Sequence, residues 1–101
     1  MATPLTLSTD RRDDGMLVLT AVGEIDMSNV DVFTQALADG AADGELAVDL
    51  CAVDYLDSGA INALFTHAER ISVVANPVLI PVLTVSGLTK LVPVDPPEAD
   101  C

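Results

Sequence analysis

The residues that could do chemistry are few: Asp54, Asp57 and Ser58 in the stretch DYLDSGAINALF, the pair Glu24 and Asp26, the single histidine His67, and two cysteines, Cys51 and Cys101. Ser58 sits where an apolar run gives way to helical periodicity. A serine there has two uses. It can cap the helix by accepting a bond from an exposed backbone amide, a role worth about 1 kcal/mol. It can also accept a phosphate, which would add roughly −1.5 to −2 charge beside Asp57, Asp54 and Asp26. The helix dipole tolerates that charge, so the fold would survive while an approaching partner met a negative cluster. Phosphorylation at Ser58 would therefore work as an off-switch on binding. Hydrolytic use of Ser58 needs a neighbouring base, yet His67 lies in the middle of the following helix, off its apolar face. No triad and no glycine-rich phosphate loop is visible, so no enzymatic activity is expected.

Cys51 and Cys101 are too few and too far apart for a disulfide framework or a zinc site, and one histidine adds no ligand cluster. No metal and no cofactor is expected. Cys51 reads as a buried thiol packed as a small hydrophobe, and Cys101 as a thiol on a tail. The alternative is a redox pair, in which Cys101 reaches back or joins another molecule; reducing conditions would make such a bond transient.

These groups belong to a chain of 101 residues, one domain by length. Half of it is apolar but only 3% aromatic, so the core must be built from Val, Leu, Ile and Ala. Sixteen acids stand against Arg11, Arg12, Arg70 and Lys90, a formal charge of −12. That surface repels nucleic acid and anionic membranes, and favours a protein partner with a basic or mixed docking face. The first residues, MATPLTLSTDRRDD, lack the basic segment and apolar core of a signal peptide, which makes a cytoplasmic location the expectation. The stretch from Ile71 to Leu88 nearly has the length of a membrane span, but Asn76, Pro77 and Pro81 divide it into a strand and a short helix.

The elements that must position the site follow from periodicity. Leu5 to Thr9 and Met16 to Val22 read as a hairpin around the polar turn Arg11 to Gly15. Ser28 is placed to cap a helix, with Asp31 at the capping-box position, and Val30, Phe33 and Leu37 share a face before Gly40 and Gly44 close the segment. Glu45 to Leu50 and Val53 to Leu56 are two runs of strand character. From Ser58 the period changes, with Ile61, Leu64, Phe65 and Ala68 at helical spacing. Burying the three large side chains is worth on the order of 1.5 to 3 kcal/mol each, so that face points inward and His67 is solvated. Ile71 to Ala75 reads as an inner strand. Asn76 caps a helix beginning at Pro77 or Pro81 and ending at Ser86-Gly87. Leu91 to Val94 is a last strand, and residues from about 95 to 101 form a flexible acidic tail. Val78, Leu79, Ile80, Val82, Leu83 and Val85 are more than one side of a short helix can bury, which leaves a second interface or homodimer patch exposed. The order implies an α/β fold: a small mixed sheet of about five strands with the helices on one side.

Three segments in sequence, GEIDMSNVDVF, LAVDLCAVDYLDSG and VVANPVLIPVLTVSGL, resemble the STAS domain, the module shared by anti-sigma factor antagonists and the tails of sulfate transporters. The resemblance covers nearly the whole chain. It implies a bacterial regulator of transcription without catalytic activity, which binds an anti-sigma factor, often a serine kinase, and frees a sigma factor. Candidate partner contacts are Glu24, Asp26, Asp57, Ser58, Gly59 and Asn62. Two departures stand out. The family signature is Asp-Ser-Ser/Thr-Gly, with the modified hydroxyl just before the glycine. Holding Val53 and Asp57 in register places Ser58 on the first serine, Gly59 on the phosphorylated position and Ala60 on the glycine, and keeps Ile61 and Leu64 on the core face. Matching Ser58-Gly59 to the Ser-Gly pair instead displaces Asp57 and shortens the strand by one. In the first register Ser58 is a displaced phosphosite or only a cap. The second departure is brevity between Arg70 and Asn76, which predicts a trimmed helix end. The rival reading is a non-phosphorylated STAS subunit of a transporter or lipid-export ATPase complex, which the missing phosphosite fits.

Overall fold

The computed structural model describes residues 4–42 and 44–95, with Asp95 described by its backbone. The expected hairpin forms. Strand β1 (Thr6–Arg11) pairs antiparallel with β2 (Leu17–Ile25). Its turn is closed by the Gly15 amide donating to the Arg12 carbonyl at 2.9 Å and by the Met16 amide donating to Asp14 at 2.9 Å. Gly15 has φ of +88°, a left-handed conformation that favours glycine.

Beyond the hairpin the chain alternates. Helix α1 (Val30–Ala41) leads to β3 (Leu46–Leu56), α2 (Ser58–Thr66) to β4 (Ile71–Ala75), and α3 (Ile80–Ser86) to β5 (Val94–Asp95). β2, β3, β4 and β5 pair in parallel, so the sheet runs in chain order from β1 to β5. Four full strands form its body, and β5, only two residues long, closes the edge. Phe33 and Leu37 of α1, Leu64 of α2 and Leu83 of α3 join Leu19, Ile25, Val48, Leu50 and Val73 of the sheet in one fully buried core. The helices thus cover one face of the sheet, as the alternating pattern implies.

Several local readings change. The two runs expected between Glu45 and Leu56 are one strand of eleven residues. Its inward side chains fall at Leu46, Val48, Leu50, Val53 and Leu56, two steps of two and then two steps of three. The register against β2 shifts between Thr20 and Val22 and again between Gly23 and Glu24, and each shift inserts one extra residue of β3. These are β-bulges, which reset which side chains face inward. Gly40 does not end α1: it is buried inside it, and a Cβ there would lie 2.9 Å from Leu46 Cδ2. It serves close packing of helix on strand, and Gly44, with φ of +147°, makes the turn.

In α2 the inward line is Ala60, Ala63 and Leu64, while Ile61 and Phe65, and Ala68 in the turn beyond the helix, are only partly covered. Small side chains let the helix sit close to its neighbours, and the bulkier pair flanks the contact. His67 is half-buried rather than solvated, because it closes the C-terminal end of α2 with its amide donating to Ala63. The segment after α2 is short as expected: a 3-10 turn at Ala68–Arg70 leads directly into β4. Asn76 caps a 3-10 turn at Pro77–Leu79, and α3 follows with Pro81 in its first turn, where a missing amide costs no hydrogen bond. Gly87, at φ +91°, ends α3 by donating to Leu83 and Thr84.

The last strand is displaced from the expected Leu91 to Val94. A 3-10 turn at Leu88–Lys90 runs on through a bond from the Val92 amide to Leu88, and pairing begins only when the Pro93 carbonyl accepts from Val73. Asp95 belongs to the sheet, and residues 96–101 of the expected tail lie outside the described residues. Among the described residues, no helix is long and apolar enough to cross a membrane.

Candidate functional site

The C-terminal ends of β2, β3 and β4 bring most of the candidate residues to one end of the sheet. Ile25 and Leu56 are register partners, and the Asp57 amide donates to the Ile25 carbonyl at 2.8 Å. This bond ties the start of α2 to the end of β2. Asp57, not Ser58, is the cap: its backbone is extended, and its carboxylate accepts the Gly59 amide at 2.7 Å. Ser58 is the first residue of α2. It is exposed, and its hydroxyl makes no hydrogen bond among the described residues. Asn62, one turn further along, is exposed as well, and its carbonyl accepts the Thr66 hydroxyl at 3.0 Å. Gly59 is wedged between the cap and the start of α1. A Cβ at that position would lie 3.3 Å from Asp57 Oδ1 and 3.3 Å from Val30 Cγ2, so a larger residue would press on both.

The loop from β2 to α1 is organised by Asp26 and Asn29. Asp26 Oδ1 accepts the Ser28 amide at 2.9 Å and the Ser28 hydroxyl at 2.5 Å. The Asp26 carbonyl accepts the amides of Asn29 and Val30, and Asn29 returns the contact: its Oδ1 accepts the Asp26 amide and its Nδ2 donates to the Glu24 carbonyl, both at 2.9 Å. Ser28 therefore does not cap α1. Asn29 occupies the cap position and spends its side chain on the loop. The bonds from the Ser28 hydroxyl and then its amide hold the Asp26 carboxyl below its ordinary value of 3.8. Asp26 is thus a structural acid of the loop as well as a surface charge.

Glu24 is half-buried opposite Tyr55 in the register. Asn76 links β4 to β3: its amide donates to Leu50 at 3.3 Å and its side chain reaches Asp54 at 3.5 Å. Glu24, Asp26, Asp54, Asp57, Ser58, Gly59 and Asn62 consequently share one end of the molecule. The basic residues lie elsewhere. Arg11 and Arg12 flank the turn that precedes β2, Arg70 immediately precedes β4, and Lys90 follows α3, all at the opposite end of the parallel strands. They share that end with Asp13, Asp14, Glu45 and Glu69, whereas the end built by Glu24, Asp26, Asp54 and Asp57 carries none of the four cations.

Exposed apolar residues complete this end, of which Met27 and Tyr55 were missed by sequence reasoning. Met27 is 83% exposed, Tyr55 48% and Val78 62%. Met27 stands between Asp26 and Ser28 outside any apolar period, and Tyr55 lies just past the second bulge, so period-two alternation gave no signal for either. The expected excess over the turn Pro77–Leu79 and α3 is real: Val78, Val82 and Val85 are exposed, while Leu79 and Leu83 are buried. The sulfur chemistry lies apart from the acidic end. Cys51 is half-buried on β3 and disulfide-bonded, which corrects its reading as a buried free thiol; Cys101 lies outside the described residues. Among the described residues, no group of three or more His, Cys, Asp or Glu is placed to hold a metal ion.

Comparison with known proteins agrees with this architecture. The family model of the STAS domain matches residues 9–101. The crystal structure of an anti-sigma factor antagonist from Mycobacterium paratuberculosis superposes with a TM-score of 0.85 at 30% identity, covering 99% of this chain and 93% of that one. The anti-sigma factor antagonist SpoIIAA in its unphosphorylated form has a TM-score of 0.73 at 11% identity, covering 94% of this chain and 90% of that one. The Bacillus cell fate determinant SpoIIAA in its phosphorylated form has a TM-score of 0.68 at 11% identity, covering 94% of each chain; these two likenesses show the fold. No match was found among proteins of curated function.

Two expectations follow from the site geometry. Asp57→Ala should lower unfolding stability by about 1 kcal/mol through loss of the cap, whereas Ser58→Ala should stay within about 0.5 kcal/mol of the parent; chemical denaturation reads both. Equal losses would return the cap to Ser58. For Asp26, a carboxyl lowered in the folded state stabilises the fold above its ordinary value of 3.8, and that stability is lost as pH falls through the lowered folded value. In an NMR titration Asp26 should titrate below 3.8, and Ser28→Ala should raise it toward that value.

Proposed function

Because the chain belongs to the STAS domain family, we propose that it is an anti-sigma factor antagonist, which captures an anti-sigma factor on its acidic end and so frees a sigma factor for transcription. The observation that carries this reading is the convergence of Glu24, Asp26, Asp54 and Asp57 with exposed Met27 and Tyr55 around the start of α2. Acids set around apolar anchors suit a basic docking face. The charges steer encounter and reject acidic surfaces, while an aromatic and a methionine supply desolvated contact.

Regulation is proposed at Ser58. A serine-kinase anti-sigma factor would transfer the γ-phosphoryl of ATP to Ser58 Oγ, with the hydroxyl proton released and ADP left behind. Ser58 supports this by being exposed and unbonded at the first position of α2. The added charge would stand beside the Asp57 carboxylate and turn attraction at the docking face into repulsion. Gly59 favours a second reading, since the position the family phosphorylates carries no hydroxyl: a non-phosphorylated STAS subunit of a transporter or lipid-export ATPase complex. A pull-down separates the two, with a kinase-like anti-sigma factor supporting the first and a membrane ATPase the second.

Charge reversal tests the docking face. Asp26 is left intact because it organises its loop, so the variant is Glu24→Lys with Asp54→Lys. Association with the captured anti-sigma factor should slow roughly tenfold at low salt, with dissociation little changed and the deficit shrinking as salt rises. An unchanged association rate in a variant with parental melting would remove this end as the docking face. For the switch, incubation with the cognate kinase and ATP should add one phosphate to Ser58, and Ser58→Ala should take none. A phosphate elsewhere, or none on the parent, would end that proposal.

A further inference from the structure

We infer that the free edge of β1 takes up an extended segment of a basic partner protein as an added strand, with one apolar side chain seated in the groove between β1 and α1 and a Lys or Arg on either side of it. β1 is an edge: it pairs with β2 on one side, and among the described residues no strand lies on the other. From Thr6 to Arg11 the register is unbroken, with no bulge and no proline. In an antiparallel pair every second residue turns its amide and carbonyl away from the partner, so this strand presents an open hydrogen-bonding ladder. Edges are usually blunted by proline, lysine or a bulge, and this one has none of the three.

The groove beside this edge sets what the segment must carry. Leu7 faces the helices, since its register partner Ala21 is fully buried, and it meets Val32 and Ala36 of α1 along a groove of about 460 Å³. Val32 is 60% exposed, while Leu7 and Ala36 are half-buried, so an apolar side chain entering there would gain cover on both sides. Asp31, Gln35 and Asp39 form the neighbouring line of α1 and complete the lining. The Gln35 side-chain amide donates to Asp39 at 2.9 Å, which holds that carboxylate beside the groove. Neither acid has a cation at hand. Among the described residues the ion pair is Arg12–Asp14, and Arg11, at the end of β1, donates instead to the Gly15 carbonyl at 2.6 Å. Asp39 moreover stands in the last turn of α1, where the helix dipole disfavours an acid. The missing charges are the partner's.

Spacing gives the pattern. β2 and β3 are parallel, so α1 between them runs opposite to both and in the same direction as β1. From Asp31 to Asp39 is about 12 Å along α1. In a strand, the residues two before and two after a given position share its face and stand about 13 Å apart. The segment therefore reads basic-x-apolar-x-basic. A second copy of this chain fits badly, because it would bring a formal charge of −12 and its own Asp31 and Asp39 to the same edge.

The test titrates the isotope-labelled full chain at low salt with the peptide Thr-Val-Lys-Thr-Leu-Thr-Lys-Val-Thr, blocked at both ends, and follows the backbone amides by NMR. Shifts confined to β1 and to α1 between Asp31 and Asp39 are expected, with a Kd of about 100 μM. N-methylation of the amides on the peptide's pairing edge should abolish binding, and Asp31→Asn with Asp39→Asn should weaken it about tenfold in a chain that melts like the parent. Glu24→Lys with Asp54→Lys should bind the peptide as the parent does, which separates this surface from the docking face at the start of α2. No shift at millimolar peptide, undiminished binding of the N-methylated peptide or by the Asn variant, or shifts centred on α2 would each overturn the added strand. So would a dimer in sedimentation that Val32→Lys breaks, since it would give the edge to a second copy.

Discussion

The parallel pairing of β2 with β3, carried through two bulges to the Ile25–Leu56 pair, is the constraint on which the rest of this structure depends. In a sheet covered on one face, a slip of one residue turns every side chain to the wrong side. Here the slip occurs twice and is put to use. Each inserted residue of β3 carries the strand past its alternation, so Val53 and Leu56 remain inward although they are out of phase with Leu46, Val48 and Leu50. The strand then ends beside Ile25, whose carbonyl accepts the Asp57 amide. Without that meeting, the cap of α2 and the loop before α1 would have no common frame.

Elements whose pattern is local were legible in the sequence. The hairpin around Gly15, the buried face of Phe33 and Leu37, and the start of α2 within a residue of Ser58 all follow from neighbours a few positions apart. The surplus of aliphatics around α3 was legible for the same reason, because a seven-residue helix has one inward side, filled here by Leu83, and Leu79 of the preceding turn is buried beside it. What failed was whatever depended on a second segment. Asp57 and Ser58 are both good cap residues, and only the bond from Asp57 to Ile25 fixes which one is extended. Ser28 is the exception, since the contact that withdraws it from capping is local: Asp26, two residues earlier, holds both its amide and its hydroxyl. Gly40 looked like a terminator because its reason, the Leu46 side chain, comes from the next strand. Most of the candidate site was legible as a set of residues, and its apolar members were not: Tyr55 is offset by a bulge and Met27 belongs to no period.

The acidic end also shows how one residue can carry a fold role and a surface role. The Asp26 carboxylate is bound by Ser28 through its inner contacts, while its charge adds to that of Glu24, Asp54 and Asp57. The two roles do not compete, since hydrogen bonds that favour the ionised form keep the charge in place. An uncharged residue at 26 would lose both. Parallel strands point their ends in one direction, so the four cations gather at the end where β2, β4 and β5 begin, beside Asp13, Asp14, Glu45 and Glu69, and none stands among the acids around the start of α2.

The position after Ser58 is held by its packing. Gly59 lies in the cleft between α2 and the first residue of α1, where a Cβ already approaches Val30 Cγ2 and Asp57 Oδ1 at 3.3 Å, and its amide is held by Asp57. A serine at that position would make the Val30 or Asp57 side chain give by a few tenths of an ångström. One residue earlier the side chain is rotated by about 100° around the helix axis, out of the cleft and onto the exposed line that continues to Asn62 one turn later. A partner that reads or modifies Ser58 must therefore approach along that line, with Asn62 under it and the Asp57 carboxylate at its edge. The close seating of α1 against α2 and the placement of the hydroxyl are thus two aspects of one packing choice.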